Sequence, residues 1–199
     1  PRHFTDNEAT HVQYVNSYLN GSFFLMSQPP LAEMCLAGIA RFSYYKQSLK
    51  PPYHEANFTF PTMEYVALRS PSAFFSAIVI PLSFFIVRLF GSSTFGAMAA
   101  GLFTLFDFLL IGSARNIGTD GFLQLFVALT MFFTAFMKRL NKGTTAWNYC
   151  FFFQAFFCGC CISSDWACIS LIIFIIIFNV TVYKDINIIP KTMFIITGV

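Results

Sequence analysis

The amino-acid sequence predicts an all-α integral membrane protein, a polytopic helical bundle, and three observations carry that prediction. Hydrophobic residues make up 56% of the 199-residue chain and charged residues only 11%, where a soluble domain carries about 25% charged residues. The shortage of charge is local, because Val66 to Val182 is a series of apolar runs broken by short polar patches. Each run approaches the ~20 residues that cross a ~30 Å hydrocarbon core, and a backbone inside lipid must satisfy its own hydrogen bonds, so the runs read as helices. The net charge of +3 is scattered, with no basic stripe that would point to a nucleic-acid partner.

Taken in order, residues 1–64 form an aqueous loop with short amphipathic helices. The loop holds most of the carboxylates and all three histidines, His3, His11 and His54. Residues 65–199 hold the membrane spans. Tyr65 to Phe90 is the first, with a kink expected at Pro81, which neighbouring helices can accommodate. Phe95 to Ile111 is the second, and its Gly96, Ala97, Ala99, Ala100 and Gly101 suit close helix packing. Gly118 to Met137 is the third, Trp147 to Ile162 the fourth and Ala167 to Val182 the fifth. Ile188 to Val199 reads as a partial sixth, interrupted by Pro190 and Lys191. A chain that opens in a loop and closes inside a span is expected to be one part of a longer protein. Pro1-Arg2-His3-Phe4 leads into polar residues, not into the apolar core of a signal peptide, so a preceding membrane helix is expected.

Basic residues set the expected orientation. Arg88, then Lys138, Arg139 and Lys142, then Lys184 and Lys191 follow the first, third and fifth spans, while the other connections hold only Arg115 and the acidic Asp165. Positive-inside counting puts the first set in the cytoplasm and residues 1–64 on the lumenal or external face. Two glycosylation sequons fall in that loop, at Asn20 and Asn57, and a third, at Asn179, lies in an apolar run where it should be unused. Five of the six cysteines, Cys150, Cys158, Cys160, Cys161 and Cys168, sit in or beside the last apolar runs, without the histidines or spacing of a zinc site. They read as small side chains packed between helices, and no metal is expected.

The residues suited to chemistry gather on the loop's face of the membrane. Asp6-Asn7-Glu8 opens the chain, Gln28-Pro29-Pro30-Leu31 starts a further helix, and Arg69, Arg115, Asp120 and Asp165 lie at span ends on the same side. Charge at a membrane edge is costly and marks a functional site by default, with snorkelling of Arg69 and Arg115 to the interface as the alternative. Asp107, deep in the second span, suits an interhelical pair as well as a catalytic role.

These motifs resemble the dolichyl-phosphate-mannose protein O-mannosyltransferases, membrane enzymes of the GT-C fold. The family's Asp-Glu pair, Tyr-Leu segment, aromatic pair and His-Pro-Pro-Leu-Gly-Lys-Met are matched by Asn7-Glu8, Tyr18-Leu19, Phe23-Phe24 and Gln28-Pro29-Pro30-Leu31-Ala32-Glu33-Met34 at gapless spacing. Tyr65-Val66-Ala67-Leu68-Arg69, Leu105-Phe106-Asp107, and Arg115 with Asp120 resemble later family segments, and Ser163-Ser164-Asp165-Trp166 falls where the family has Ser-Val-Lys and an aromatic. The resemblance implies the N-terminal part of a GT-C bundle in the endoplasmic reticulum membrane, with residues 1–64 in the lumen. It implies transfer of mannose from dolichyl phosphate mannose to Ser or Thr hydroxyls of proteins, with the lipid-linked donor as substrate and no cofactor. Glu8 is then the candidate general base and Asp6 a substitute. Arg115, with Arg69 second, is the candidate for the donor phosphate. Asp120 would orient Arg115 or hold its own helix end, and Asn7 and Gln28 support the site. A homo- or hetero-dimer with a related subunit is expected.

The chain departs from the family at charged positions. Asn7 stands for Asp and cannot act as a base, Met26 and Gln28 replace an acid and a His, Glu33 replaces Lys, and Asp165 reverses another Lys. Two further readings therefore stand beside the transferase: an impaired relative that pairs with an active homologue, and a transporter or channel. The last needs a continuous polar path or inverted repeats, and Gln124, Thr130 and Gln154 supply neither.

Overall fold

The computed structural model describes residues 6–43, 45–46, 62–183 and 188–198. Among these residues the chain forms nine α-helices and no strand: α1 (Asp6–Asn20), α2 (Leu31–Phe42), α3 (Thr62–Leu89), α4 (Thr94–Leu105), α5 (Phe108–Ala114), α6 (Asp120–Met137), α7 (Thr145–Ile162), α8 (Ile169–Tyr183) and α9 (Ile188–Thr197). Four stretches are long and apolar enough to cross a membrane, Glu64–Leu89, Asp120–Met137, Thr145–Ile162 and Trp166–Tyr183, the last entered through a 3-10 turn at Trp166–Cys168. α3 packs on α4 and α6, α6 on α7, and α7 on α9. The protein is a multi-pass helical membrane bundle.

The second predicted span differs from the expectation of one continuous helix. α4 and α5 meet at a 51° bend, because Phe106 ends α4 and Asp107 takes an extended conformation in which its Oδ1 accepts the Leu109 N–H at 2.9 Å. An Asp in that conformation starts a new helix instead of continuing the old one. Asp107 is thus an N-cap, and among the described residues it makes no interhelical ion pair and does not line the polar cavity. α3, by contrast, runs as one helix through Pro71 and Pro81.

The Gly- and Ala-rich α4 packs on α3 with Ala97 fully buried, and a Cβ on Gly101 would make ordinary contact with Phe84 at 3.7 Å. Where α6 crosses α3 the backbones come closer at one glycine: a Cβ on Gly121 would stand 2.5 Å from the Ser72 carbonyl oxygen. Polar side chains stitch the bundle at two levels. Ser76 donates to Gln124 at 2.9 Å and Gln124 to Ser113 at 2.8 Å, joining α3, α6 and α5. Deeper along the bundle, Gln154 donates to Thr134 at 2.7 Å and accepts from Asn179 at 3.1 Å, joining α6, α7 and α8. Asn179, the third sequon's asparagine, is buried, as are five of the six cysteines.

The two ends of the bundle differ in charge. At one end Arg139 donates to the Leu89 carbonyl at 2.7 Å and the Arg88 carbonyl at 3.3 Å, capping the C-terminus of α3, where cations are favoured. At the other end α1 and α2 lie against the start of α3 and α6. Val12, Val15, Leu36, Ala40, Leu68 and Phe122 form the core that fastens them there.

A candidate active site at the α1–α2 end of the bundle

Three contacts position this end. Glu8, with no exposed surface, takes Arg69 Nε at 3.0 Å, Arg69 Nη2 at 2.6 Å and the Ile117 N–H at 2.7 Å, all on Oε1. A single carboxylate oxygen thus ties α1 to α3 and to the loop before α6. Arg69 also stacks over the Tyr65 ring at 3.9 Å. His11 Nδ1 bonds Glu33 Oε1, tying α1 to α2. Finally the Leu31 N–H, at the start of α2 just past the Pro-Pro step, donates to the Ser163 carbonyl at 2.9 Å, tying α2 to the end of α7.

Between these ties lies a cavity of about 430 Å³. Asn7, Thr10, His11 and Tyr14 of α1 form one wall, and Met26, Ser27, Gln28 and Glu33 another. The loop from Asn116 to Thr119, Asp120 of α6, and Ser164 with Asp165 complete it. Among the described residues no Lys or Arg lines it, and His11 alone of the lining groups can carry positive charge. Burial alone would lower its pKa, but the hydrogen bond and charge of Glu33, with Asp120 and Glu8 behind, more than offset this and raise it above the usual 6.5. A groove beside this cavity, about 490 Å³, shares Met26 and Gln28 with it and runs over Tyr18, Phe23 and Phe24.

The predicted site residues divide into two groups. Asn7, Gln28 and Asp120 come together on the cavity wall, and Glu8 borders it with its carboxylate already engaged. Asp120 stands at the first turn of α6, where an acid is favoured by the helix dipole. Asp165, the reversed Lys, lines the cavity too and holds the Ala167 N–H at 2.9 Å as an N-cap. The arginines lie apart. Arg69 is expected at the donor phosphate but spends its guanidinium on Glu8, because a buried carboxylate is costly without a cation. Arg115, exposed at the end of α5, does not line the cavity. Among the described residues no ion pair joins it to Asp120.

Asp6 opens α1, and its side chain lies outside the described residues, as does all of Asn57. Asn20 is exposed at the end of α1. Among the described residues no group of three or more His, Cys, Asp or Glu is placed to hold a metal. From the sequence alone, His11 reads only as a loop histidine and Glu33 only as a lost lysine. The signal that could have found them is their context, His11 four residues after Asn7 on a helix and Glu33 in the Pro-Pro motif.

A bundle of membrane helices with paired surface helices beside a polar cavity at one end defines a polytopic membrane protein with a site at the end of its helices. The profile of the family described as dolichyl-phosphate-mannose-protein mannosyltransferase matches residues 1–193, and the chain belongs to that family. It is similar to dolichyl-phosphate-mannose–protein mannosyltransferase 4 of Schizosaccharomyces pombe, 26% identical over 156 residues, or 77% of this chain and 20% of that protein. The Candida albicans protein of the same name is 26% identical over 143 residues, covering 70% of this chain and 19% of its own length. The chain thus spans about a fifth of these relatives. The solved structure of the S. cerevisiae protein O-mannosyltransferase Pmt1-Pmt2 complex bound to the sugar donor matches 96% of this chain and 27% of that chain, with a TM-score of 0.77 at 22% identity. At that identity the likeness is one of fold.

Proposed function

We propose that the protein transfers mannose from dolichyl phosphate mannose to Ser or Thr hydroxyls of proteins on the lumenal side of the endoplasmic reticulum membrane. The observation that carries this is the cavity at the α1–α2 end, walled by the segments that resemble the family's motifs: Asn7, Gln28, Asp120 and Asp165. A site at the end of the helices suits a donor whose lipid tail stays in the bilayer while its sugar meets a wet acceptor. Membership of the mannosyltransferase family, through residues 1–193, supports the reaction class. Arg115, exposed beside the loop that enters the cavity, is the candidate to neutralise the departing lipid phosphate. Glu8 and Arg69 act as a positioning pair that holds α1 on the bundle.

A second reading has its own support. Asn7 cannot take a proton, and the neighbouring Glu8 is bound by Arg69 and Ile117, as in a subunit that supports an active homologue without catalysing. The solved structural neighbour is itself a complex of two different chains, Pmt1 and Pmt2.

The test is mannose transfer to a Ser/Thr peptide by the full-length protein in microsomes, alone and with its co-purifying partners. Transfer that Arg115→Ala abolishes supports the enzyme with its phosphate contact. Transfer that survives Arg115→Ala removes Arg115 from that role. Activity only with a partner, unaffected by variants of this chain, establishes the supporting subunit.

A further inference from the structure

The chain's two oddest departures, Asn7 and Glu33, meet at one histidine. Asn7 and His11 are one helical turn apart on α1, so their side chains share a face, and both line the cavity. Glu33 reaches the same place from α2 and bonds His11 Nδ1. A lysine at position 33 would repel an imidazolium, whereas a glutamate accepts a hydrogen bond from Nδ1–H. That leaves the lone pair on Nε2, the arrangement that readies an imidazole for proton abstraction. The ring borders Gly118, where a Cβ would make ordinary contact with Nε2 at 3.6 Å, and His11 lines the cavity with its side chain still 21% exposed. Glu33 is only 4% exposed and its Oε2 has no partner among the described residues, so a buried negative charge stands ready to balance the ring once it is protonated.

We propose that His11, oriented by Glu33, is the general base of this chain, standing in for the carboxylate that Asn7 lacks; this rests on the transferase reading above. The acceptor hydroxyl gives its proton to His11 Nε2 while its oxygen forms the new bond to C1 of mannose. The bond from C1 to the phosphate oxygen breaks, and its electron pair leaves with dolichyl phosphate. The imidazolium is balanced by Glu33 and later releases its proton to water. The other carboxylates serve less well. Glu8 is bound by Arg69, and Asp165 holds its own helical turn. Asp120 is exposed at the cavity rim, and among the described residues no hydrogen bond or ion pair orients it. The charged groups facing His11 are Glu33 from α2, Asp120 from α6 and Glu8 from α1 itself, with Asp165 on the same cavity wall. All are acids, so they strengthen the base and shift its working range to higher pH.

The experiment measures mannose transfer from dolichyl phosphate mannose to a Ser/Thr peptide across pH, with donor binding measured in parallel. It uses the full-length protein with its co-purifying partner in microsomes otherwise depleted of mannosyltransferases. His11→Gln should lower turnover about 10²-fold or more with donor binding retained. Adding Asn7→Asp to His11→Gln should restore turnover, which a loss of packing would not allow. Glu33→Gln should lower turnover and move the rise of rate with pH to lower pH. Turnover of His11→Gln within about threefold of the wild type would overturn the proposal, as would a His11→Gln, Asn7→Asp protein that binds donor and stays inactive. Loss of turnover in Asp120→Asn beside an active His11→Gln assigns the base to Asp120 instead. A wild-type protein inactive at every pH overturns the transferase reading and this inference together.

Discussion

Two sets of polar side chains are built on opposite rules. In the bundle, Gln154 uses both ends of its amide, donating to Thr134 and accepting from Asn179, so polarity there joins helices. At the α1–α2 end, Asn7, Gln28 and Asp120 line open space, and Glu33 keeps one buried oxygen without a partner among the described residues. Side chains whose hydrogen bonds join helices fix a structure, even though Asn179 Oδ1 there has no partner among the described residues, and those that face open space can meet a ligand. Glu8 marks the boundary. It borders the cavity, yet its bonds to Arg69 and Ile117 make it part of the frame.

Breaking the frame should cost most. Glu8→Ala leaves Arg69, itself largely buried, without its carboxylate and should destabilise the protein by about 3–5 kcal/mol. The loss reads as a fall in unfolding temperature of the detergent-solubilised protein. An unchanged midpoint would move Glu8 out of the frame and back among the free cavity acids. Next comes the helix crossing. Gly121→Val puts methyl groups into the Ser72 backbone and should cost about 1–3 kcal/mol or more as α3 and α6 separate. Gln154→Leu removes two hydrogen bonds within the bundle and should cost about 1–2 kcal/mol, leaving mannose transfer per folded molecule unchanged. If transfer falls instead, the distinction between the two polar sets fails.

The smallest effect is electrostatic. The folded-state pKa of His11 is raised, so its contribution to stability is fully present below the unfolded value of about 6.5 and is lost as pH rises through the folded value. Thermal unfolding at about pH 6 and about pH 8.5 should therefore show a fall in stability that His11→Gln and Glu33→Gln both reduce. A fall of the same size in all three proteins would mean that other groups set the dependence.

The spans are legible in the sequence because lipid imposes a length and a composition on each one. The predicted third span, Gly118 to Met137, and the observed α6, Asp120–Met137, differ by two residues at one end. The break at Asp107 escapes such a reading because an apolar average runs across it. Its sign is present in one residue type, an Asp ahead of an apolar run, which starts helices. Cavity membership of Asn7, Gln28 and Asp120 follows from motif order. The partners of Glu8 and Arg69 do not, since charge alone assigns each of them to chemistry. Which cation meets which acid depends on how α1 settles on α3, and that is decided by Val12, Val15, Leu36 and Leu68 in the core. The bond between His11 and Glu33 is hidden for the same reason, because it joins two helices whose relative placement no local pattern specifies.

The hydrogen bond from the Leu31 N–H to the Ser163 carbonyl gives the site a birth order. The walls supplied by α1 and α2 leave the ribosome early, but Ser163, Ser164 and Asp165 are made only after α3 to α7. At ~5–20 residues per second that delay is on the order of ten seconds. Throughout it the cavity still lacks a side. A truncation placed before Ser163 should therefore leave α1 and α2 folded against α3 with no enclosed site between them.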